Sequence, residues 1–136
     1  MPAHSENFPW ESYYGHYRKL EDLIENHSHV KNLKKIDEGL YRLTHNTLGK
    51  LTLFIGECYS FGVAEYHEVL ENYGDVDIIL ISSAWCGYTH EVKRFCRDQK
   101  VGLYKIGSFM GSLNKTKYWL YLDEDEQEYF AKKGWA

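Results

Sequence analysis

The stretch VDIILISS, residues 76–83, constrains the fold of this chain more than any other. It is short and almost continuously apolar, which is typical of a strand buried on both faces of a partly parallel sheet. Such a strand needs helical crossovers on either side. The flanking segments supply them, since apolar residues recur at spacings of three and four both before and after the run. The repeats are Val63, Tyr66, Leu70 and Tyr73, which end at Gly74, and then Val92, Phe95 and Cys96, which follow Thr89 as a helix cap.

The remaining patterns complete the order α-β-β-β-α-β-α-β, followed by a C-terminal helix. A helix is predicted from about residue 9 to 26, and three strand-like runs follow it: HVKNLKKI, GLYRLTH and KLTLFIGECY. The Gly-containing turn NTLGK joins the last two runs as an antiparallel hairpin. After the buried strand come the strand VGLYKI, a short helical turn SFMGSLN, an apolar edge element YWLYL and a helix in DEDEQEYFAKKGWA. We therefore predict one α/β domain over residues 1–136, with a mixed sheet flanked by helices.

Composition narrows the class of protein. A chain of 136 residues is long enough for one hydrophobic core. Its three cysteines, Cys58, Cys86 and Cys96, form no CxxC pair, so we expect a reduced, cytoplasmic compartment. No stretch approaches the ~18 apolar residues of a membrane span, which argues against a membrane partner. Sixteen basic and twenty acidic residues give a net charge of −4, so any basic surface must be local.

Residues 85–89, WCGYT, raise the alternative of a redox site. The Trp-Cys-Gly sequence at a helix start resembles a thioredoxin-type turn, where the helix dipole makes a thiol more acidic. However, Thr89 replaces the resolving cysteine, and the only prolines, Pro2 and Pro9, lie at the N-terminus, far from where that fold needs one. This alternative is therefore disfavoured.

A different resemblance covers about residues 38–107. The stretches FIGECYSF, DVDIILISS and GYTHEVKRFCRDQKVGLYKI resemble the Mrr-type members of the PD-(D/E)xK nuclease superfamily. The resemblance implies a restriction-endonuclease-like core with the element order given above.

The superfamily's chemistry indicates which residues to compare. Its members hydrolyse phosphodiesters with carboxylates that hold Mg²⁺ or a similar cation and a lysine that stabilises developing charge. An Asp lies on one strand of the hairpin, and a Glu-x-Lys lies on the next. Carried over to this chain, Glu57 takes the Glu position and would be the metal ligand. Tyr59 stands where the Lys is expected, and the Asp position falls near Thr44, with His45 beside it.

Two of these three positions differ from the pattern, so the resemblance implies an eroded catalytic centre. On this interpretation the protein needs no cofactor and binds nucleic acid or a protein partner rather than cleaving. The basic residues that would contact phosphates lie in one helix (Lys93, Arg94, Arg97) and on one strand (Lys35, with Lys31 and Lys34).

Two alternatives stay open. The first is an active nuclease, dependent on Mg²⁺ or Mn²⁺, with ligands rearranged around Glu57, for which Lys50, Lys35 and Asp37 are candidates. The second is a small regulator or inhibitor that acts through an aromatic, acidic surface, given the twelve tyrosines and the stretch DEDEQE. A homodimer is compatible with each of these functions.

Overall fold

The computed structural model describes residues 8–11, 14–83 and 85–135. The helices within these residues are α1 (Tyr14–Glu25), α2 (Val63–Tyr73), α3 (His90–Asp98), α4 (Ile106–Ser112) and α5 (Glu124–Lys133). The strands are β1 (Val30–Asp37), β2 (Leu40–His45), β3 (Gly49–Gly56), β4 (Ser60–Phe61), β5 (Ile78–Ile81), β6 (Gly87–Tyr88) and β7 (Gly102–Tyr104). Apart from the two-residue strands β4 and β6, this is the order that the sequence predicts.

Five strands form one mixed sheet in the order β1-β2-β3-β5-β7. Strands β1, β2 and β3 pair antiparallel, whereas β3, β5 and β7 pair parallel. All four residues of β5 are buried, as expected for a strand covered on both faces. The prediction of an α/β fold with a mixed sheet is confirmed. Strands β4 and β6 form a separate small parallel pair.

Helices cover the sheet on both faces. Tyr17, Leu20 and Ile24 of α1 join Phe109 of α4 in one apolar cluster with the β-strand residues of that face. A second cluster on the other face contains α2 and α3 residues, namely Tyr66, Val69, Val92 and Cys96. Thr89 caps α3 as predicted, since its Oγ1 accepts a hydrogen bond from the Val92 N–H at 3.1 Å. Along the described part of the chain, no helix has the length and apolar character to cross a membrane.

Two predicted elements differ from the structure. Helix α1 is described from Tyr14 and does not extend back to residue 9, because Trp10 has a left-handed backbone (φ 51°) and a side chain buried in the core. The Trp10 carbonyl also accepts the Glu57 N–H at 2.9 Å, which ties this segment to the end of β3. The predicted edge element YWLYL forms a turn of 3-10 helix at Tyr118–Leu120 that packs beside β7.

The carboxyl ends of the three parallel strands meet at one edge of the sheet. Glu57 directly follows β3, Ser82 and Ser83 follow β5, and Lys105 follows β7. Ligands of open α/β sheets bind at this edge, outside the carboxyl ends of the strands. These four residues therefore lie where a ligand of such a sheet is expected to bind.

Candidate functional site at the carboxyl edge of the sheet

Glu57 is the centre of the candidate site. Its side chain is 0% exposed, and its Oε1 accepts a hydrogen bond from Nδ1 of His16 at 3.0 Å. His16 lies in α1, so this bond joins the helix to the end of β3. A buried carboxylate is costly unless it is paired and hydrogen-bonded, and His16 supplies a partner. Glu57 thereby fixes the orientation of the His16 ring.

Ser83 approaches the same histidine. Its Oγ lies 3.4 Å from His16 Nδ1. Ser83 has a positive φ of 75°, a conformation that costs a non-glycine residue roughly 1–2 kcal/mol. Glu57 and Ser83 share one ring nitrogen, whereas the carboxylate and hydroxyl of a hydrolase triad contact opposite nitrogens of the histidine. The three residues therefore do not form a nucleophilic triad.

Lys105 and Cys86 complete this edge. The Lys105 ammonium donates a hydrogen bond to the Cys86 carbonyl at 2.6 Å. Burial raises the pKa of the Cys86 thiol to about 11; the Glu57 charge adds to this increase and the Lys105 charge opposes it. A reactive thiol has a lowered pKa, so this buried cysteine does not support the thioredoxin-type interpretation.

A cavity of about 430 Å³ opens beside these residues. The Trp85 side chain at its rim is 51% exposed, and its ring centre lies 5.9 Å from that of His16. The cavity thus combines an accessible indole ring, two lysines, two serines and an apolar wall. The lining residues are His16, Lys19, Leu20, Leu23, Ile81, Ser82, Ser83, Trp85, Lys105 and Ile106.

The residues at this edge do not fit a catalytic divalent cation. Mg²⁺ prefers near-octahedral oxygen coordination and is usually held by one or two carboxylates with several waters. Here the Glu57 carboxylate is fully buried and bonded to His16. Among residues 8–11, 14–83 and 85–135, no three His, Cys, Asp or Glu side chains are grouped to hold a metal ion.

Thr44 and His45 do not lie opposite Glu57, so their expected placement is wrong. The hairpin register pairs Thr44 with Lys50 and His45 with Gly49, at the far end of β3. His45 is buried there, where Nε2 donates to the Leu113 carbonyl at 2.8 Å and Nδ1 accepts the Thr47 and Leu48 N–H groups. These contacts make His45 a structural residue.

Tyr59 is 70% exposed and contributes to the small β4–β6 region, where its carbonyl accepts the Gly87 N–H at 3.1 Å.

The residues that could replace the missing Asp and Lys do not form a catalytic centre with Glu57. Asp37 is exposed and its Oδ1 accepts the Glu38 N–H, Lys35 pairs with Glu38 at 3.5 Å, and Lys50 lies at the start of β3.

The four predicted phosphate contacts are dispersed. Arg94 is exposed and lies over the Trp135 ring at 4.8 Å, while Arg97 donates to the Leu120 carbonyl at 3.3 Å. Lys35 lies over the Tyr17 ring at 5.6 Å, on the α1 side of the sheet. Lys93 is fully buried, so it cannot contact a phosphate.

Lys93 instead joins three elements of the structure. Its ammonium donates to the Leu103 carbonyl of β7, lies 3.7 Å from the centre of the Tyr104 ring and is 4.0 Å from Glu126 Oε1 of α5. Glu126 Oε2 also accepts the Tyr88 hydroxyl at 2.6 Å. Burial lowers the pKa of Lys93 to about 8, although the Glu126 charge opposes this shift.

The acidic stretch DEDEQE is largely the start of α5. Asp123 accepts the Glu126 N–H at 2.8 Å, and Glu126 accepts the Asp123 N–H in return, which is a capping box. The other three acids of the stretch, Glu124, Asp125 and Glu128, are exposed. Two of the five acids, Asp123 and Glu126, are therefore explained by helix capping and by the bond to Tyr88.

The sequence did not indicate His16, Lys19, Trp85 or Lys105 as members of one site. Lys105 and Ser83 could have been found, since each lies at or next to the carboxyl end of a predicted strand and the ends of parallel strands meet at one edge. His16 and Lys19 gave no such signal, because polar residues on an amphipathic helix are usually solvated. No family model matches the chain, and neither curated proteins nor solved structures give a match.

Proposed function

We propose that the protein is a binding protein on a restriction-endonuclease-like core without a catalytic metal centre. We further propose that its cavity binds a nucleotide, either free or at the end of a nucleic-acid strand. One observation carries the proposal: the Glu57 carboxylate is buried and holds His16 at the wall of a cavity that also contains Lys19, Lys105 and Trp85.

The burial of Glu57 favours binding over hydrolysis. Metal-dependent cleavage needs carboxylates that reach a cation shared with the scissile phosphate. Glu57 has no exposed surface and bonds to a histidine. Neither Thr44 nor Tyr59 supplies the missing carboxylate or ammonium next to it.

The lining of the cavity supports a nucleotide as the ligand. An exposed indole can stack on a base, and such stacking contributes about 1–3 kcal/mol. Lys19 and Lys105 provide positive charge for a phosphate. Within the described part of the chain, Lys19 makes no salt bridge that would occupy it. A ligand that combines a flat aromatic ring with an anionic group matches this arrangement.

The direct test is binding of a labelled, 5′-phosphorylated dinucleotide, measured by fluorescence anisotropy in EDTA. We expect Trp85→Ala and Lys19→Gln each to weaken binding by about tenfold, which corresponds to ~1.4 kcal/mol. Lys115→Gln and Leu120→Ala are matched controls, because both side chains are exposed and neither lines the cavity.

Two further arms separate the sources of the nucleotide. Competition by a nucleoside monophosphate supports a free nucleotide, whereas loss of binding only when the strand end is blocked supports a strand end. Absence of binding at low salt would overturn the proposal. Mg²⁺-dependent cleavage that Glu57→Gln abolishes would replace it with the active-nuclease alternative.

A further inference from the structure

A second surface lies on the other face of the sheet from α1. It consists of six polar residues of β1, β2 and β3, which we call the open basic face: Asn32, Lys34, Arg42, Thr44, Lys50 and Thr52. The register places them in two cross-strand rows. Lys34, Arg42 and Thr52 are direct partners in one row, and Asn32, Thr44 and Lys50 are direct partners in the other.

Neighbouring residues show which face this is. Tyr41, Leu43, Leu51 and Leu53 alternate with the six residues along β2 and β3 and are buried in the cluster beneath α1. Successive side chains of a strand point to opposite faces, so the six residues lie on the α2 side. On this face the Phe54 ring of β3 is covered by the rings of Phe8 and Tyr73. The six residues of the open basic face are exposed or half-buried.

The cations on the open basic face are close together. Lys34 and Arg42 are directly opposite, which sets their Cβ atoms ~4.5–5.5 Å apart, and Lys50 is diagonal to Arg42 at ~7–8 Å. None of the three makes a salt bridge or side-chain hydrogen bond with any residue that the structure describes. The adjoining acid is Asp77, whose Oδ2 accepts the Thr52 N–H at 2.8 Å.

Like charges directly opposite on a sheet destabilise it. Lys34 and Arg42 keep this unfavourable arrangement in a protein whose net charge is negative. An anionic partner would relieve the repulsion.

We propose that the open basic face binds the phosphodiester backbone of a nucleic acid. Threonine and asparagine side chains between the cations offer hydroxyl and amide donors, which are common phosphate contacts alongside Lys and Arg. An acidic protein is the less suitable partner. The core of a protein interface is depleted in charged residues and enriched in aromatic side chains. The open basic face has three charged residues and no aromatic side chain among its six residues. The inference goes beyond the cavity, because the two surfaces lie on different faces of the sheet.

The test uses a circular single-stranded DNA with an internal fluorophore, which has no strand end for the cavity. Its affinity is measured by anisotropy at ~50 mM and ~200 mM salt. With three phosphate contacts on a single strand, wild-type affinity should fall roughly 20-fold over that range. The triple variant Lys34→Gln/Arg42→Gln/Lys50→Gln should bind at least tenfold more weakly at low salt and lose most of the salt dependence.

A matched variant controls for overall charge. Lys115→Gln/Lys117→Gln/Lys132→Gln removes three exposed cations elsewhere, so both triples change the net charge from −4 to −7. We expect the control triple to bind within about twofold of wild type. Trp85→Ala and Lys19→Gln should also retain binding to the circle, so failure of the cavity proposal and of this one can be told apart.

Folding of the variants is checked by thermal unfolding. Because the first triple removes the Lys34–Arg42 repulsion, we expect an unfolding midpoint at or above that of the wild type. The inference is overturned if wild type does not bind the circle at low salt, or if the two triples bind alike. It is also overturned if polyglutamate of equal charge displaces the DNA with equal affinity, which would indicate an acidic protein partner.

Discussion

Oε1 of Glu57 lies 3.0 Å from Nδ1 of His16, and this bond joins the end of β3 to helix α1. The carboxylate therefore acts inside the protein, as the support of a cavity wall, rather than outward on a cation. Within the part of the chain that the structure describes, no metal centre forms around Glu57, because its carboxylate is buried and bonded to His16.

Replacement of Glu57 should destabilise the protein. Glu57→Ala leaves a cavity and removes the carboxylate that accepts the His16 N–H, so we expect a loss of about 3 kcal/mol in the free energy of unfolding, measured by urea titration. Combined with His16→Ala, a double-mutant cycle should give a coupling of about 1–2 kcal/mol. Glu68→Ala, an exposed acid of α2, is the control. A change of under ~0.5 kcal/mol for Glu57→Ala, as at an ordinary surface site, would contradict the structural role.

Mg²⁺ should not stabilise the folded protein. A cation that binds the native state with a Kd of ~0.1 mM would add ~2.7 kcal/mol at ~10 mM. For a domain of this size that would raise Tm by several degrees. We expect a shift below ~1 °C relative to sodium chloride of equal ionic strength. A larger rise that Glu57→Gln removes would reinstate a metal site.

Several parts of the fold could be predicted because the signals are local. Apolar spacing gave the element order, and the continuous run at β5 indicated the parallel half of the sheet before any pairing was known. Thr89 could be assigned as a cap because a threonine preceding a periodic apolar segment is itself a local signal.

The hairpin register shows how a site was misplaced. In an antiparallel pair the start of one strand faces the end of the other, and here Leu40 pairs with Phe54. A residue near Glu57 must therefore precede β2, whereas Thr44 and His45 lie beside the turn. The antiparallel pairing of the predicted hairpin is by itself enough to exclude Thr44 and His45 from the surroundings of Glu57.

The burial of Lys93 could not be predicted in the same way. Lys93 lies in a helix with Arg94 and Arg97, a pattern typical of a solvated basic face. It is buried because α5, more than 30 residues later in the chain, packs against it through Glu126. Such a long-range contact leaves no local pattern in the sequence.

Ser83→Gly should separate backbone strain from side-chain chemistry. Glycine adopts a positive φ without the steric cost, so we expect the free energy of unfolding to rise by ~0.5–1 kcal/mol. Ser83→Ala removes the hydroxyl near His16 but keeps the strain, and it should not stabilise. Both variants should weaken nucleotide binding if the hydroxyl contributes to the cavity. If Ser83→Gly and Ser83→Ala have equal free energies of unfolding in chemical denaturation, the positive φ of residue 83 does not destabilise the protein.

Lys93 should leave a measurable signature in the pH dependence of stability. Its pKa is about 8 in the folded protein against 10.5 for the ordinary group, so between these values the unfolded chain binds the proton more strongly. The free energy of unfolding that depends on Lys93 therefore rises with pH across this window. Glu126, Asp123, Arg97 and Cys96 are the charged and titratable groups that act on it.

The measurement is the difference between wild type and Lys93→Met from pH 7.5 to 9.5. Buried thiols with raised pKa values, such as Cys58 at about 12, act in the opposite direction but are common to both proteins and cancel in the difference. Wild type should gain about 1–2 kcal/mol relative to the variant, out of about 3 kcal/mol for the whole shift. Lys117→Met, at an exposed lysine, should give a flat difference. A flat difference for Lys93→Met as well would mean that Lys93 remains charged and hydrated, and that α5 does not close over it.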